Sequence, residues 1–125
     1  MTFQIKRVYE PASPKDGTRV LVDRLWPRGL KKSDAHVAVW MKDVAPSPGL
    51  RTWFHHDPER FAEFRRRYTT ELKANPALGE LRKLGKGKAV TLLYAAHDPQ
   101  VNHALVLQSA LSARRSAPRA KAAPK

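Results

Sequence analysis

The sequence predicts an α/β domain with a small, mainly parallel sheet of three to four strands flanked by helices. Three observations carry that expectation. Two apolar runs rich in β-branched residues, Val20-Leu21-Val22 and Val90-Thr91-Leu92-Leu93, read as buried strands. Between them lie segments with helical periodicity, each opened by a polar residue followed by proline. A strand that arrives after helices joins an earlier one in parallel, through a right-handed crossover.

Taken in order, Phe3 to Tyr9 alternates apolar and polar residues as a half-exposed strand does, and Pro11, Pro14 and Asp16-Gly17 close it. Arg19 to Leu25 reads as a second, central strand, ended by Trp26-Pro27-Arg28-Gly29, where Pro27 cannot donate to a ladder. Val37 to Met41 is a short third strand, with a helical turn as the rival reading. Ser47-Pro48 opens a short helix through Leu50, Trp53 and Phe54. Asp57-Pro58 opens a longer one, to Ala74, with Phe61, Phe64, Tyr68 and Leu72 on one face and Arg65, Arg66 and Arg67 turned mostly outward. Asn75-Pro76 opens a third, whose Leu78, Leu81 and Leu84 face inward until Gly85 and Gly87 end it. Ala89 to Ala95 is the last strand, and Asp98-Pro99 caps a last helix that packs through Val101, Leu105 and Leu111.

The 125 residues divide into one domain, 1–111, and a basic tail, 112–125. The tail has no large apolar residue and is expected to be disordered. The net charge is +13; Arg114, Arg115, Arg119, Lys121 and Lys125 supply five of it, leaving +8 on the domain, so anionic partners suit both parts. The chain has no cysteine, which removes disulfides, thiol nucleophiles and Cys-ligated metals. No apolar window is long enough to span a membrane and no signal peptide is visible. A cytoplasmic protein is expected.

Several strings carry a resemblance. Val8-Tyr9-Glu10-Pro11 and the long run from Asp16-Gly17 through Arg19-Val20-Leu21-Val22-Asp23-Arg24-Leu25-Trp26-Pro27-Arg28-Gly29-Leu30 come first. Trp40-x-Lys42-Asp43-x-Ala45-Pro46-Ser47, Leu50-Arg51-x-Trp53-Phe54-x-His56-Asp57-Pro58 and Phe64-x-x-Arg67-Tyr68 follow, then Thr91-Leu92-Leu93-Tyr94-Ala95-Ala96-x-Asp98 with Asn102-His103-Ala104. Over about residues 3 to 111 the chain resembles the YeaO-like family of bacterial proteins, a branch of a larger domain-of-unknown-function family. The resemblance implies a small α/β domain and no established activity. Relatives in the broader family tend to carry a cysteine and an arginine in the region matching the last string. Here stand Tyr94 and no cysteine, so thiol or metal chemistry does not transfer from them.

Ligands of open α/β sheets sit beyond the carboxyl ends of the strands. One such end carries Asp23, Arg24, Trp26 and Arg28, the other Tyr94, His97 and Asp98 with Asn102 and His103 a turn into the helix. If the two strands are neighbours, these groups converge, with Lys42, Arg51 and Trp53 contributed from adjoining segments. Arg24 and Arg28 then form an anion clamp, since arginine forks bind carboxylate or phosphate bidentately, and Asp23 orients one of them. The competing reading is an internal Asp–Arg network that only locks the loop. Asp23 and His97 are the acid/base candidates, Trp26 and Trp53 the pocket walls, and Trp40 and Phe54 core. Asp98 is assigned to capping, His103 to packing as much as to ligand, and His56 to ordering a helix start. No metal-site spacing, phosphate-binding glycine loop or nucleophile elbow appears.

Two functions compete. The first is binding of an anionic small molecule or nucleotide in the Arg/Asp/Trp cleft. The second is non-specific association with nucleic-acid backbone through Arg65-Arg66-Arg67 and the tail. The sequence names no cofactor, reaction or oligomeric state.

Overall fold

The computed structural model describes residues 2–116. They form a four-stranded, all-parallel sheet of order β1-β4-β2-β3, with β1 at Thr2–Arg7, β2 at Thr18–Leu21, β3 at Val39–Trp40 and β4 at Ala89–Tyr94. The expected small α/β domain is therefore what the chain adopts. β4 lies between β1 and β2, with Leu92 opposite Ile5 on one side and Val20 on the other. That position explains why it reads as a continuous apolar run: Val90 to Tyr94 are all buried.

β2 is shorter than the apolar run suggests. The ladder continues one bond further, from Val22 N–H to the Leu93 carbonyl (3.1 Å), and then Asp23 turns its carboxylate onto the Ala95 N–H (3.1 Å). A side chain replaces the backbone partner, and the strand ends there rather than at Leu25. For residues 37–41 the strand reading holds over the helical one, although β3 is only two residues long. Bonds from Ala38 N–H to Arg19 O and Met41 N–H to Leu21 O flank it.

The helices are α1 (Lys32–Ala35), α2 (Pro48–Phe54), α3 (Phe61–Lys73), α4 (Pro76–Leu84) and α5 (His103–Ser116). Ser47, Asp57 and Asn75 cap as the polar–proline pairs predict, Asp57 at a 3-10 turn (Pro58–Arg60) that leads into α3. Asp98 does not cap α5. Its carboxylate accepts the Gln100 N–H (2.8 Å) in a local turn, and Asn102 is the cap, accepting the Leu105 N–H at 3.0 Å. The inward face of α5 is accordingly Ala104, Val106, Leu107 and Leu111, with Leu105 only half-buried. The helix continues through the first residues of the stretch assigned to the tail; residues 117–125 lie outside the described residues, and the expected disorder with them.

The two faces of the sheet are covered differently. Val20, Val22, Val90, Leu92 and Tyr94 pack against Leu50 and Phe54 of α2, Phe64, Tyr68 and Leu72 of α3, Leu78 and Leu81 of α4 and Leu107 and Leu111 of α5. Each such side chain withdrawn from water contributes roughly 1.5–3 kcal/mol. The opposite face has only Val8, Leu21 and Leu93 as a small cluster, covered by Trp26, Leu30 and Val37 from the β2–β3 connection. Gly17 makes the β1–β2 connection possible: its φ is +64°, and a Cβ there would press onto the Ala89 backbone carbonyl.

Candidate functional site

A cleft of about 530 Å³ opens beyond the carboxyl ends of β2 and β4, where a parallel sheet offers free backbone and loop side chains. Its polar residues are Asp23, Arg24, Arg51, His56, His97, Asp98 and His103. Phe54, Phe64, Leu25, Pro46 and Val101 supply most of the apolar wall.

Asp23 and His103 meet at the edge of the sheet. One Asp23 oxygen accepts the Ala95 N–H; the other lies 3.2 Å from His103 Nε2. The same Nε2 is 3.1 Å from the Val22 carbonyl oxygen. A carbonyl can only accept, so Nε2 carries a hydrogen, and in the neutral ring Nδ1 is left as the basic nitrogen. That N–H points at the carbonyl, which leaves Asp23 Oδ1 buried without an aligned donor. The Tyr68 ring meets His103 edge-on at 6.3 Å, and burial pushes the Tyr68 hydroxyl pKa up, keeping it a proton donor to the Val44 carbonyl.

Arg24 reaches across the cleft. Its Nη2 donates to the Ala45 and Pro46 carbonyls at 3.4 and 3.3 Å, while Nε is buried with no partner. Arg51 projects from α2, exposed, and its guanidinium makes no hydrogen bond or ion pair. Both acids of the cleft are already engaged with backbone N–H groups, Asp23 with Ala95 and Asp98 with Gln100. The unspent donors are thus those of the arginines.

His56 reaches the cleft through an unusual backbone path. His55 and His56 follow α2 with φ of 47° and 53°, two consecutive non-glycine residues in the left-handed region. Partial desolvation lowers the His56 pKa, helped by the neighbouring His103 and His55 and opposed by Asp23, which favours the neutral ring. Propensity gave no reason to expect that turn, and the sequence assigned His56 to a helix start instead. Phe54 and Phe64 were expected as core. They are buried, yet they also wall the cleft.

Of the predicted site residues, Asp23, Arg24, Arg51, His97 and His103 come together here, with His97 exposed at the rim. Asn102 lies beneath, 1% exposed, spent on the Asp98 carbonyl and the α5 cap. Trp26, Arg28, Lys42, Trp53 and Tyr94 do not line the cleft. Trp26 crosses to the other face of the sheet, donates to the Leu30 carbonyl (2.8 Å) and meets Trp40 edge-on at 5.5 Å. Arg28 is exposed in that loop, and only its carbonyl is used, by the Tyr9 hydroxyl. Lys42 lies over Trp40, and Arg60 and Arg67 lie over the Trp53 ring at 5.3 and 4.4 Å. Tyr94 belongs to the core, where burial raises its pKa. Trp40, expected in the core, is 40% exposed and donates to the Asp23 carbonyl at 2.8 Å.

The arginine run of α3 is also occupied. Arg66 and Arg67 both bind Glu63, and Arg65 lies over the Phe61 ring. Among the described residues no three His, Asp or Glu side chains are placed to hold a metal, and no helix is long and apolar enough to cross a membrane.

These features define a small, all-parallel α/β domain with one helix-covered face and an arginine-bearing cleft at the strand ends. The chain belongs to the family described as the inactive DUF488-N3 subclade, whose model matches residues 2–125. It is 51% identical over 111 residues to an uncharacterised protein of Mycobacterium tuberculosis (strain H37Rv), covering 89% of this chain and 94% of that protein. It is 47% identical over 108 residues to the uncharacterised protein YeaO of Escherichia coli (strain K12), covering 86% and 94%. No solved structure matches the chain.

Proposed function

We propose that the cleft binds a small anionic molecule, with Arg24 and Arg51 as the anion-holding groups. The observation that carries this is the imbalance of unspent hydrogen-bonding capacity. The exposed Arg51 guanidinium has no partner and Arg24 Nε is buried without one, whereas Asp98 and one oxygen of Asp23 each hold a backbone N–H. Among the described residues, Asp23 Oδ1 alone of the acid oxygens buried in the cleft lacks a donor. A guanidinium in a partly enclosed cleft gains most from an oxyanion, which satisfies two N–H groups at once. The cleft's volume is also in the range of about 300–1,000 Å³ in which small-molecule sites fall.

The Asp23–His103 pair orients the base of this cleft: Asp23 fixes the Ala95 backbone, and His103 Nε2 holds the Val22 carbonyl. The description of the family as inactive favours binding without turnover. The nucleic-acid reading has less support, because each arginine of the 65–67 run is engaged within α3.

The test is Arg51→Ala, an exposed substitution that leaves the core untouched. The folded chain should show a thermal shift with inorganic phosphate or a nucleoside monophosphate, and Arg51→Ala should remove most of it. An unchanged shift takes Arg51 out of the site.

A further inference from the structure

The apolar part of the cleft narrows the class of ligand. Leu25 stands at its mouth 63% exposed, more than any other large apolar side chain among the described residues. A leucine in that position is out of place in water and well placed against an apolar ligand body. Phe54 and Phe64, stacked with centroids 4.1 Å apart and planes 16° apart, form a rigid wall, and Pro46 and Val101 line it too. Phe54 and Phe64 are themselves 4% and 1% exposed and offer only an edge to the cleft, but a five-atom oxyanion would leave most of 530 Å³ to water and Leu25 uncovered.

The cation and the wall are in register. Arg51 and Phe54 are three residues apart on α2, so they share a face with Cβ atoms about 5–6 Å apart. The cation therefore stands beside the apolar wall, on one helix. Resting on the anion reading above, we propose that the ligand is an aromatic acid: a flat ring carrying one carboxylate or phosphate. The acid group meets Arg51 and Arg24, and the ring lies between Leu25 and the edge of Phe54, where an edge-on ring contact is favourable.

Calorimetric titration of the full chain with two matched pairs tests this: phenyl phosphate against inorganic phosphate, and benzoate against acetate. In at least one pair the ring-bearing anion should bind about tenfold or more tightly than its ringless partner. Which pair shows the gain identifies the acid group. Leu25→Ser should remove much of the gain without altering the ringless anion, and Arg51→Ala should weaken both members. Equal affinities within both pairs overturn the aromatic acid and leave anion binding standing. A ring preference that survives both Leu25→Ser and Phe54→Leu puts the ring elsewhere and overturns it as well. Binding of none of the four probes, by protein that still melts cooperatively, overturns both proposals.

Discussion

Asp16 and Asp23 stand on either side of β2, each with an arginine close behind it, and the two clusters they head are built on opposite principles. On the loop-covered face every group is closed. Asp16, 5% exposed, accepts from Lys6 Nζ (3.1 Å), Arg19 Nη1 (2.5 Å) and the Ser13 N–H (3.0 Å). Arg19 also donates from Nη2 and Nε to the Ala35 and His36 carbonyls, so each of its three nitrogens has a partner. At the cleft on the other side, Asp23 Oδ1 has no aligned donor and Arg24 Nε has no acceptor. A buried ionic cluster in which every polar atom has a partner is a structural lock, whereas one with unpartnered atoms in a cleft is a place for something to bind.

The comparison is broken most directly at Arg19. Arg19→Ala leaves Asp16 with Lys6 alone as cation and strands two carbonyls beneath the β2–β3 connection. Removing one partner of a buried pair typically costs about 3–5 kcal/mol. Urea denaturation should show a loss of that order. The response of the cleft to anions, measured well below the new midpoint, should persist. If Arg19→Ala costs less than about 1 kcal/mol, the closed network is not the lock that its geometry describes.

A smaller effect is expected from protonating the same network. Burial pushes the Asp16 pKa up, but the Ser13 N–H, Lys6 and Arg19 together outweigh it and hold the carboxyl below its ordinary value. Because the folded value lies below the unfolded one, Asp16 stabilises the fold at pH above the unfolded value of about 3.9. That contribution is lost as pH falls through the folded value. Urea midpoints compared at pH 7, 4 and 3 should fall more steeply for the native chain than for Asp16→Asn, which has no such proton to take up. Parallel pH profiles would detach Asp16 from acid stability.

How much of this could be read in the sequence differs between fold and site for a physical reason. Strands β1 and β4 and helices α2 to α4 follow from periodicity and from the polar–proline pairs at Ser47, Asp57 and Asn75, all of which are local signals. At Asp98-Pro99 the same signal misleads, since Asn102 competes for the cap and has the better geometry. Asp23, Arg24, Arg51, His97 and His103 were legible as a group because they lie at two strand ends that neighbour each other in the sheet. Trp26 and Arg28 were misplaced because the chain crosses the sheet plane between Leu25 and Trp26, and adjacency in sequence says nothing about which face a loop covers. His56 required two left-handed residues in a row, which no propensity favours. The Asp16–Arg19–Lys6 lock was invisible because it joins a loop to two strands across β4.

The smallest effect should come from the counterpart at the cleft, and its smallness is the point. Asp23→Asn keeps an oxygen to accept the Ala95 N–H and replaces the second oxygen, which had no aligned donor, by an uncharged amide nitrogen beside His103. The net loss should stay near that of one altered hydrogen bond, within about 1 kcal/mol, several-fold below Arg19→Ala. Removing the negative charge also removes repulsion from the floor of the cleft, so anions held by Arg24 and Arg51 should bind at least as tightly as before. Calorimetry with phenyl phosphate beside urea denaturation reads both quantities on one variant. A stability loss as large as that of Arg19→Ala would make Asp23 a second lock, and the distinction between the two clusters would fail.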